Sequence, residues 1–416
     1  MANFQVKDIS LADQGMLNIE LAEGRMPALM QIRARFKKEQ PFKGLTIGMA
    51  LHVTKETAVL VRTLRDGGAK VAIASCNPLS TQDDVAAALS KEGANVYGYK
   101  GETKEDYYKF IEAVISFKPD ITIDDGCDLI STIHTKHKEL LSKLIGGCEE
   151  TTTGIIRLHA MQKDNALKYP IIAVNDNATK HLFDNYYGTG QSTIDGIIRA
   201  TNVLFAGKTV VVAGYGDCGK GVALRAKSLG ANVIVTEVDH LCALQAVMDG
   251  YRVMPMFDAA KLGDIFVTVT GDIHVITLDH IKEMNNGAIL ANSGHFDNEI
   301  DVVGLNSKGK KRKMRPFLDE YSIFGKKIYL CAEGRLVNLG AAEGHPSEVM
   351  STSFCGQALA CEYLVKNKGK LKPSVITLPK AIDDEIAKLQ LDSIGIKIDV
   401  LTEEQKKYLS SWEEGT

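Results

Sequence analysis

Side chains that can exchange protons are concentrated in five short polar segments of this sequence. The segments span residues 51–57, 124–128, 149–154, 175–180 and 183–188. Polar residues just past the carboxyl ends of parallel strands are where α/β proteins bind ligands. Taken singly, each segment is better explained by the capping of a loop than by catalysis. The segments therefore suggest a site of acid–base chemistry without assigning it.

A glycine-rich motif indicates a second kind of chemistry. Residues 214–221 read Gly-Tyr-Gly-Asp-Cys-Gly-Lys-Gly and match the G-x-G-x-x-G pattern. Its glycines allow a tight turn, close approach to a pyrophosphate and close helix packing, with the phosphates at the positive end of the helix. Glu237 ends the next predicted strand about 20 residues further on, where a carboxylate binds ribose hydroxyls and repels a 2′-phosphate. The motif therefore predicts NAD rather than NADP. A triphosphate loop is excluded because Gly221, not Ser or Thr, follows Lys220.

Alternating strand and helix signals predict the elements that must position these groups. Strands are predicted at 45–50, 71–75, 121–123, 209–213, 231–236 and 265–270. Helices are predicted at 56–64, 222–229 and 350–367, with a glycine-rich turn over 214–221. This alternation is typical of parallel sheets covered on both faces. We predict an α/β fold with two doubly wound parallel-sheet domains.

Composition excludes several classes of partner. The chain has 416 residues, with 49 basic and 52 acidic ones, which gives no electrostatic case for nucleic acid or an anionic membrane. No apolar run approaches the roughly 18 residues of a membrane span, and the N-terminus does not resemble a signal peptide. The eight cysteines form no CxxC pair, so we expect no metal site, reduced thiols and a cytoplasmic protein. The basic run 308–315 is expected to be a solvated loop or a hairpin edge.

Seven motifs between residues 124 and 347 resemble the S-adenosylhomocysteine hydrolase family, and the resemblance as a whole runs from about residue 7 to about residue 410. They are Asp-Asp-Gly-x-Asp-Leu from 124, Glu-Glu-Thr-Thr-Thr-Gly from 149, Asn-Asp-x-x-Thr-Lys-x-x-Phe-Asp-Asn from 175, Ala-Gly-Tyr-Gly-Asp-x-Gly-Lys-Gly from 213, Gly-His-Phe-Asp-x-Glu-Ile from 294, Ala-Glu-Gly-Arg-Leu-Val-Asn-Leu from 332 and Gly-His-Pro-Ser from 344. The resemblance implies NAD-dependent, reversible hydrolysis of S-adenosyl-L-homocysteine to adenosine and L-homocysteine. It also implies a homo-oligomer, a dimer or a tetramer.

The reaction of that family depends on carbon acidity. NAD oxidises the ribose 3′-hydroxyl to a ketone, and the neighbouring C4′ hydrogen then becomes acidic because its carbanion delocalises into an enolate. Homocysteine thiolate leaves from C5′, water adds, and the ketone is reduced again.

The resemblance also implies a role for each site residue. Lys180 would move the 3′-hydroxyl proton, and a buried lysine would need a lowered pKa to act as a base. Asp125 would be the base at C4′, and His295 would handle the proton or water at C5′. The residues implied to hold and polarise these groups are Glu150, Asp184 and Asn185.

Binding residues follow from the same resemblance. The residues implied to contact the purine and ribose are His52, Thr54, Glu56 and His345, with Asp125, Glu150, Lys180 and Asp184 also bordering the substrate. The residues implied to contact NAD are Thr151, Thr152, Thr153, Asn185, Gly214, Gly216, Asp217, Cys218, Gly219, Lys220, Gly221, Glu237, Thr270, Ser293, Gly294, His295, Asn338 and His345. The implied domains are a substrate-binding domain in two parts, 1–188 and 346–390, a Rossmann NAD-binding domain at 189–345, and a dimerisation tail at 391–416.

The purine base and the reaction class both stay open on the sequence. Glu56 is an acceptor when ionised and fits N6–H of adenine or N1–H of hypoxanthine, so S-inosyl-L-homocysteine is the second candidate substrate. A 2-hydroxyacid dehydrogenase and a catalytically silent NAD-binding regulator are two further hypotheses. The chain departs from the family pattern at Thr189, Val269 and Glu343. It also ends at Thr416, whereas longer members continue into a tail that reaches the neighbouring subunit's NAD, so more weakly held NAD is expected.

Overall fold

The computed structural model describes residues 3–412 and shows an α/β protein built on two sheets. The strands are β1 (Thr46–Ala50), β2 (Lys70–Ala74), β3 (Asn95–Tyr97), β4 (Ile121–Asp124), β5 (Gly146–Glu149), β6 (Ile171–Ala173), β7 (Thr209–Ala213), β8 (Asn232–Thr236), β9 (Arg252–Val253), β10 (Ile265–Thr268), β11 (Ile289–Asn292), β12 (Lys310–Arg315), β13 (Leu318–Ile323), β14 (Lys326–Cys331) and β15 (Val375–Ile376).

Helices separate most of these strands. They are α1 (Ala12–Glu23), α2 (Pro27–Glu39), α3 (Lys55–Asp66), α4 (Asp83–Lys91), α5 (Lys104–Ile115), α6 (Asp128–Lys136), α7 (Thr152–Lys163), α8 (Ala178–Lys180), α9 (Thr189–Thr201), α10 (Asp217–Ser228), α11 (His240–Met248), α12 (Met256–Ala260), α13 (Leu278–Glu283), α14 (Val302–Lys308), α15 (Val337–Gly340), α16 (Ser347–Lys366), α17 (Lys380–Ser393) and α18 (Glu403–Ser410). A π-helical run, His181–Gly188, joins α8 to α9.

The first sheet has seven strands in the order β15-β6-β5-β4-β1-β2-β3, and every neighbouring pair is parallel. Its central strands are buried along almost their whole length, as a sheet covered by helices on both faces requires. The predicted strands 45–50, 71–75 and 121–123 lie in this sheet with ends shifted by one residue. The doubly wound prediction is confirmed here.

The second sheet has eight strands in the order β12-β13-β14-β11-β10-β7-β8-β9. Strands β7 to β11 and β14 are parallel, whereas β12 and β13 add an antiparallel edge. The basic run supplies β12, whose six residues are all exposed, so the prediction of a hairpin edge is confirmed. The strand predicted at 265–270 ends at Thr268 instead.

The glycine-rich segment is more helical than predicted. The expected turn over 214–221 covers only the first three of those residues, and α10 begins at Asp217 rather than at 222. The later glycines, Gly219 and Gly221, are therefore helical residues on the face that packs against neighbouring backbone.

The chain crosses between the sheets twice. It leaves the first sheet through α8, the π-helical run and α9, and it returns through α15 and α16. Phe354, Cys355 and Leu359 of α16 pack in the same core as Ile47 and Met49 of the first sheet. The carboxyl ends of the parallel strands in the two sheets border one shared cavity. Among residues 3–412, no helix is both long and apolar enough to cross a bilayer.

Candidate functional site

A cavity of about 1370 Å³ lies where the carboxyl ends of the two sheets approach each other. Residues that follow β1, β4, β5 and β6 form one wall, and residues that follow β7, β8, β10 and β11 form the other. This edge is where ligands bind in open parallel sheets. The cavity therefore brings together the polar segments and the glycine-rich motif, which are far apart in the sequence.

Nearly all of the implied site residues line this cavity. They are His52, Thr54, Glu56, Asp125, Glu150, Thr151, Thr152, Thr153, Lys180, Asp184, Asn185, Gly214, Gly216, Asp217, Cys218, Glu237, Thr270, Ser293, Gly294, His295, Asn338 and His345. The three exceptions, Gly219, Lys220 and Gly221, lie outside its wall.

Lys180 is the cationic centre of the buried polar cluster. Its Nζ donates to Asn185 Oδ1 at 2.7 Å and lies 3.4 Å from Asp184 Oδ1 and 3.7 Å from Glu150 Oε1. Asn175 Oδ1 also accepts from Lys180 at 3.4 Å and from Asn185 Nδ2 at 3.1 Å. Lysine, two carboxylates and two amides thus form one network at the base of the cavity.

The charge state of Lys180 differs from the expectation for a basic amine. Burial alone would lower the pKa of Lys180, but Asp184, Glu150 and Asp125 outweigh it and raise that pKa above its usual value. Burial likewise opposes ionisation of Asp184, yet Lys180 and His345 hold its pKa below the usual range. In this arrangement Lys180 is an ammonium ion that donates hydrogen bonds, and the lowered pKa anticipated for a base is not found.

Glu150 is poised between its charged and neutral forms. Burial raises its pKa to about 7, and the nearby Lys180 opposes that rise. Ser353 Oγ donates to Glu150 Oε1 at 2.6 Å, and Gln357 Nε2 donates to Oε2. Ser353 and Gln357 were not identified from the sequence. Their signal is weak, because the two polar residues at i and i+4 are only two of several buried polar residues on α16.

Asp125 joins two histidines that come from opposite sides of the cavity. His52 Nε2 lies 3.4 Å from Asp125 Oδ2, and His295 Nδ1 lies 3.5 Å from Asp125 Oδ1. Ser80 Oγ is 2.8 Å from the other nitrogen of His52, and Cys76 Sγ is 3.2 Å from it. Burial lowers the pKa of His52 to about 4, with Asp125 opposing the shift. His52 is therefore a neutral ring near pH 7.

Gly126 makes the approach of His295 possible. Its φ is +106°, and a Cβ at this position would lie 2.3 Å from His295 Nε2. Only glycine combines that backbone conformation with so close a neighbour. The Asp-Asp-Gly order thus places the carboxylate of Asp125 and the imidazole of His295 side by side.

The implied purine-contact residues form two further groups. His345 Nδ1 lies 3.0 Å from Asp184 Oδ1, and its other nitrogen lies 3.3 Å from Thr189 Oγ1. Ser347 Oγ donates to Glu56 Oε1 at 2.6 Å. The other oxygen of Glu56, Oε2, receives no hydrogen bond from Ser347. Ser347 was also missed from the sequence.

Glu343 lies outside the cavity wall. It pairs with Lys55 Nζ at 3.0 Å and with Arg199 Nη1 at 3.3 Å, and its side chain is 59% exposed. Lys55 Nζ in turn lies 3.4 Å from Glu56 Oε1. Glu343 is therefore separated from the Glu56 carboxylate by one lysine and does not itself face the cavity.

The dinucleotide cradle fits the group that the motif predicts. Gly214 has φ +105° at the end of β7, and a Cβ added to Gly216 would meet no atom within 4 Å, so its backbone is open to a ligand. The amino-terminal end of α10 follows at Asp217, where a helix favours phosphate oxygens. Glu237 Oε2 accepts from Tyr215 N at 2.6 Å, which fixes its carboxylate at the end of β8.

The remaining residues of the motif serve packing. A Cβ on Gly219 would lie 2.0 Å from the carbonyl oxygen of Gly214, and one on Gly221 would lie 1.9 Å from that of Tyr186. These two glycines bring α10 against the turn and against the π-helical run. Their contribution to a dinucleotide would therefore be indirect.

Comparison with known proteins supplies the context for this geometry. The family model "S-adenosyl-L-homocysteine hydrolase" matches residues 3–142, and "S-adenosyl-L-homocysteine hydrolase, NAD binding domain" matches residues 185–344. The chain is 60% identical over 414 residues to "S-inosyl-L-homocysteine hydrolase" of Methanocaldococcus jannaschii, covering 99% of this chain and 100% of that protein. It is 60% identical over 416 residues to "Adenosylhomocysteinase" of Aquifex aeolicus, again covering 99% and 100%. It is 58% identical over 417 residues to "Adenosylhomocysteinase" of Saccharolobus solfataricus, covering all of both chains.

Proposed function

The chain belongs to the S-adenosyl-L-homocysteine hydrolase family, and from that premise we propose that it hydrolyses a purine-nucleoside thioether of L-homocysteine with NAD as a resident cofactor. The observation that carries the proposal is the meeting, in one cavity, of the Lys180 network and the glycine-rich dinucleotide cradle. Neither half would suffice alone, because the proton-transfer groups other than His295 come from the first sheet and the dinucleotide-binding groups come mainly from the second.

Bound NAD supplies reversible oxidation of the ribose 3′-hydroxyl. The residues proposed to hold it are the turn at 214–216, the α10 amino terminus and the carboxylate of Glu237. Thr151, Thr152 and Thr153 at the start of α7 border the same cavity from the other sheet.

The chain's own groups would manage the protons of the sugar. Lys180, as an ammonium ion among carboxylates, would donate a hydrogen bond to the 3′-oxygen. When the sugar is oxidised, the 3′-hydroxyl proton would pass by way of Lys180 to Glu150, which lies 3.7 Å from its Nζ and has a pKa of about 7, and it would return by the same route when the ketone is reduced. Asp125 would remove the C4′ proton once the neighbouring carbon is a ketone. His295, which faces Asp125 across the cavity, would deliver a proton to departing sulfur or orient water at C5′.

Adenine is the proposed base, and hypoxanthine is the second candidate. One specific observation keeps the second open: Ser347 occupies Oε1 of Glu56, and the remaining oxygen can accept either N6–H of adenine or N1–H of hypoxanthine. Relatives named for each activity are equally identical to this chain.

The experiment that tests the proposal is a thiol-release assay with both thioethers in parallel. Purified protein and NAD should release homocysteine from at least one thioether, with no net accumulation of NADH. No thiol from either one would refute the hydrolase, whereas stoichiometric NADH would point to a dehydrogenase. Lys180→Ala should abolish turnover, since it removes the ammonium and leaves Asp184 and Glu150 without their counter-ion.

We also propose a homo-oligomer in the cytoplasm. Leu241, Leu244 and Met248 on α11 are 75%, 53% and 76% exposed, and the C-terminal segment exposes Val400 and Leu409. Apolar residues grouped in this way are typical of interaction surfaces. The predicted dimerisation tail includes residues 413–416, which lie outside the described residues. A monomeric mass in light scattering would contradict the oligomer. All eight cysteines are free thiols, as a reducing compartment favours.

A further inference from the structure

Two more buried carboxyl groups lie directly behind Asp125 and Glu150. Asp124 and Glu149 are the last residues of β4 and β5, they are fully buried, and they are register partners in the parallel sheet. Successive side chains along an extended chain point to opposite faces. Accordingly, Asp125 and Glu150 line the cavity while Asp124 and Glu149 lie behind its wall.

Asp124 fixes the turn that carries Asp125. Its Oδ1 accepts from the backbone nitrogen of Asp125 at 3.0 Å, and its Oδ2 accepts from that of Ile130 at 2.8 Å. The residues between these two bonds include Gly126 and Cys127, whose φ angles are +106° and +68°. Because left-handed conformations are costly for a residue such as cysteine, the turn needs such bonds to persist.

Glu149 connects the two catalytic segments, which are the turn that follows β4 and carries Asp125 and the turn that follows β5 and carries Glu150. Its Oε1 accepts from the backbone nitrogen of Gly126 at 2.9 Å and from that of Thr151 at 3.1 Å. One oxygen therefore joins the turn after Asp125 to the residue after Glu150. Gly154 leaves the necessary room, since a Cβ there would lie 2.2 Å from the carboxyl carbon of Glu149.

The second oxygen of Glu149 indicates where a proton resides. Oε2 is buried and has no hydrogen-bond partner among the described residues. A bare carboxylate oxygen in that position would be costly, and neighbouring buried carboxyls do not both ionise readily. Burial, and then the charges of Asp124 and Asp125, raise the pKa of Glu149. Asp124, by contrast, uses both of its oxygens as acceptors.

We propose that Asp124 and Glu149 are positioning residues for the reaction, which set Asp125 and Glu150 at the reacting sugar, with Glu149 serving as a neutral acid. This inference rests on the proposed function, because it assigns Asp125 to the C4′ proton. Asp124 holds only the turn that follows β4, whereas Glu149 holds the turns that follow both β4 and β5.

The variants are chosen by what each hydrogen bond requires. Asp124→Asn replaces one acceptor by a donor that faces a backbone N–H. Glu149→Gln keeps the accepting oxygen and replaces the oxygen that has no partner, Oε2, by an amide NH₂ group. Glu149→Ala instead removes both hydrogen bonds from backbone nitrogens. Glu102→Gln is the matched control, because Glu102 is a 5% exposed carboxyl of the same sheet domain that touches neither catalytic segment.

Two partial reactions separate positioning from general damage. Absorbance of the reduced nicotinamide reports 3′ oxidation of a bound nucleoside, and exchange of the C4′ hydrogen with deuterated solvent reports the work of Asp125. Asp124→Asn should lose about 100-fold in the rate of C4′ exchange, because a displacement of the Asp125 carboxylate by about 1 Å typically costs about 100-fold in rate. It should lose less than about 5-fold in the rate of 3′ oxidation. Glu149→Gln should keep kcat within about 3-fold, and Glu149→Ala should lose about 100-fold.

Specific results would overturn the inference. If Asp124→Asn affects both partial reactions equally, or neither, Asp124 does not act through Asp125. If Glu149→Gln loses as much as Glu149→Ala, then Glu149 is not a neutral acid. The Gln and Ala comparison keeps the test valid if Asp124→Asn does not fold. Failure of the wild-type protein to release homocysteine would instead refute the proposed function, and a large loss in Glu102→Gln would show that any buried carboxyl has this effect.

Discussion

Replacing Gly126 by alanine would separate backbone strain from displacement of a catalytic group. An added Cβ would lie 2.3 Å from His295 Nε2, whereas ordinary contacts begin at 3.4 Å, so the imidazole must move by about 1.1 Å. A misplacement of about 1 Å typically costs about 100-fold in rate. The positive φ adds about 1–2 kcal/mol of strain in the folded state. We therefore expect kcat for thiol release to fall about 100-fold and Tm to fall by a few degrees.

The control for this prediction is Gly101→Ala. Gly101 has φ +89° in the same sheet domain, but a Cβ there would meet no atom within 4 Å. It should lower Tm by a similar amount and leave kcat within about 2-fold. In a His295→Ala background, Gly126→Ala should add little further loss of kcat, because the displaced ring is absent. A Gly126→Ala protein with lowered Tm but near-normal kcat would refute the reasoning.

Three further predictions concern the cofactor, acid stability and the surface. Glu237→Ala should weaken NAD binding about 10- to 100-fold and reduce the preference for NAD over NADP, because a charged hydrogen bond is worth about 1.5–3 kcal/mol. Unchanged dissociation constants in calorimetry would contradict this. Because burial lowers the pKa of folded His52 to about 4, the unfolded chain takes up a proton below about pH 6.5 that the folded chain refuses. The contribution of His52 to stability should thus be full above that pH and be lost as pH falls toward 4, so the urea midpoint of His52→Gln relative to the wild type should rise between pH 7 and pH 5. Glu343→Met should cost less than about 1 kcal/mol by urea denaturation, because its ion pairs are at the surface, and should leave turnover of both thioethers within about 3-fold.

The pattern of apolar and polar residues along the sequence predicted the two sheets and the cavity between them better than it predicted the charge states of the site residues. Buried strands such as β7 are short apolar runs, and the alternation with helices identified both sheets. The turn at 214–221 was predicted too long, because a glycine needed for helix packing, such as Gly219, looks in sequence like one needed for a turn. The expected lowering of the Lys180 pKa failed because burial is only one contribution, and the carboxylates that reverse it are set by tertiary distances.

Hydrogen-bond partners that come from distant parts of the chain were the second feature that the sequence did not predict. Ser353 and Gln357 contact Glu150 across some 200 residues of chain, so no spacing rule connects them. The motif that contains Glu149 gives it no role of its own, since only the register of β4 and β5 shows that it lies behind Asp125 and Glu150. Ser353 and Gln357 belong to no recognised motif, whereas Asp124 and Glu149 belong to motifs that do not show which groups they hold.

Three imidazole–carboxylate contacts join the two halves of the site. His295 meets Asp125 at 3.5 Å, His345 meets Asp184 at 3.0 Å, and His181 meets Asp217 at 2.9 Å. By the predicted boundaries, each contact has its histidine in one domain and its carboxylate in the other. Two of these carboxylates belong to the proton-transfer network and the third begins the helix that faces the dinucleotide. The three contacts therefore hold the acid–base groups beside the cradle, and we expect the sugar to be oxidised only where its C4′ proton can also be removed.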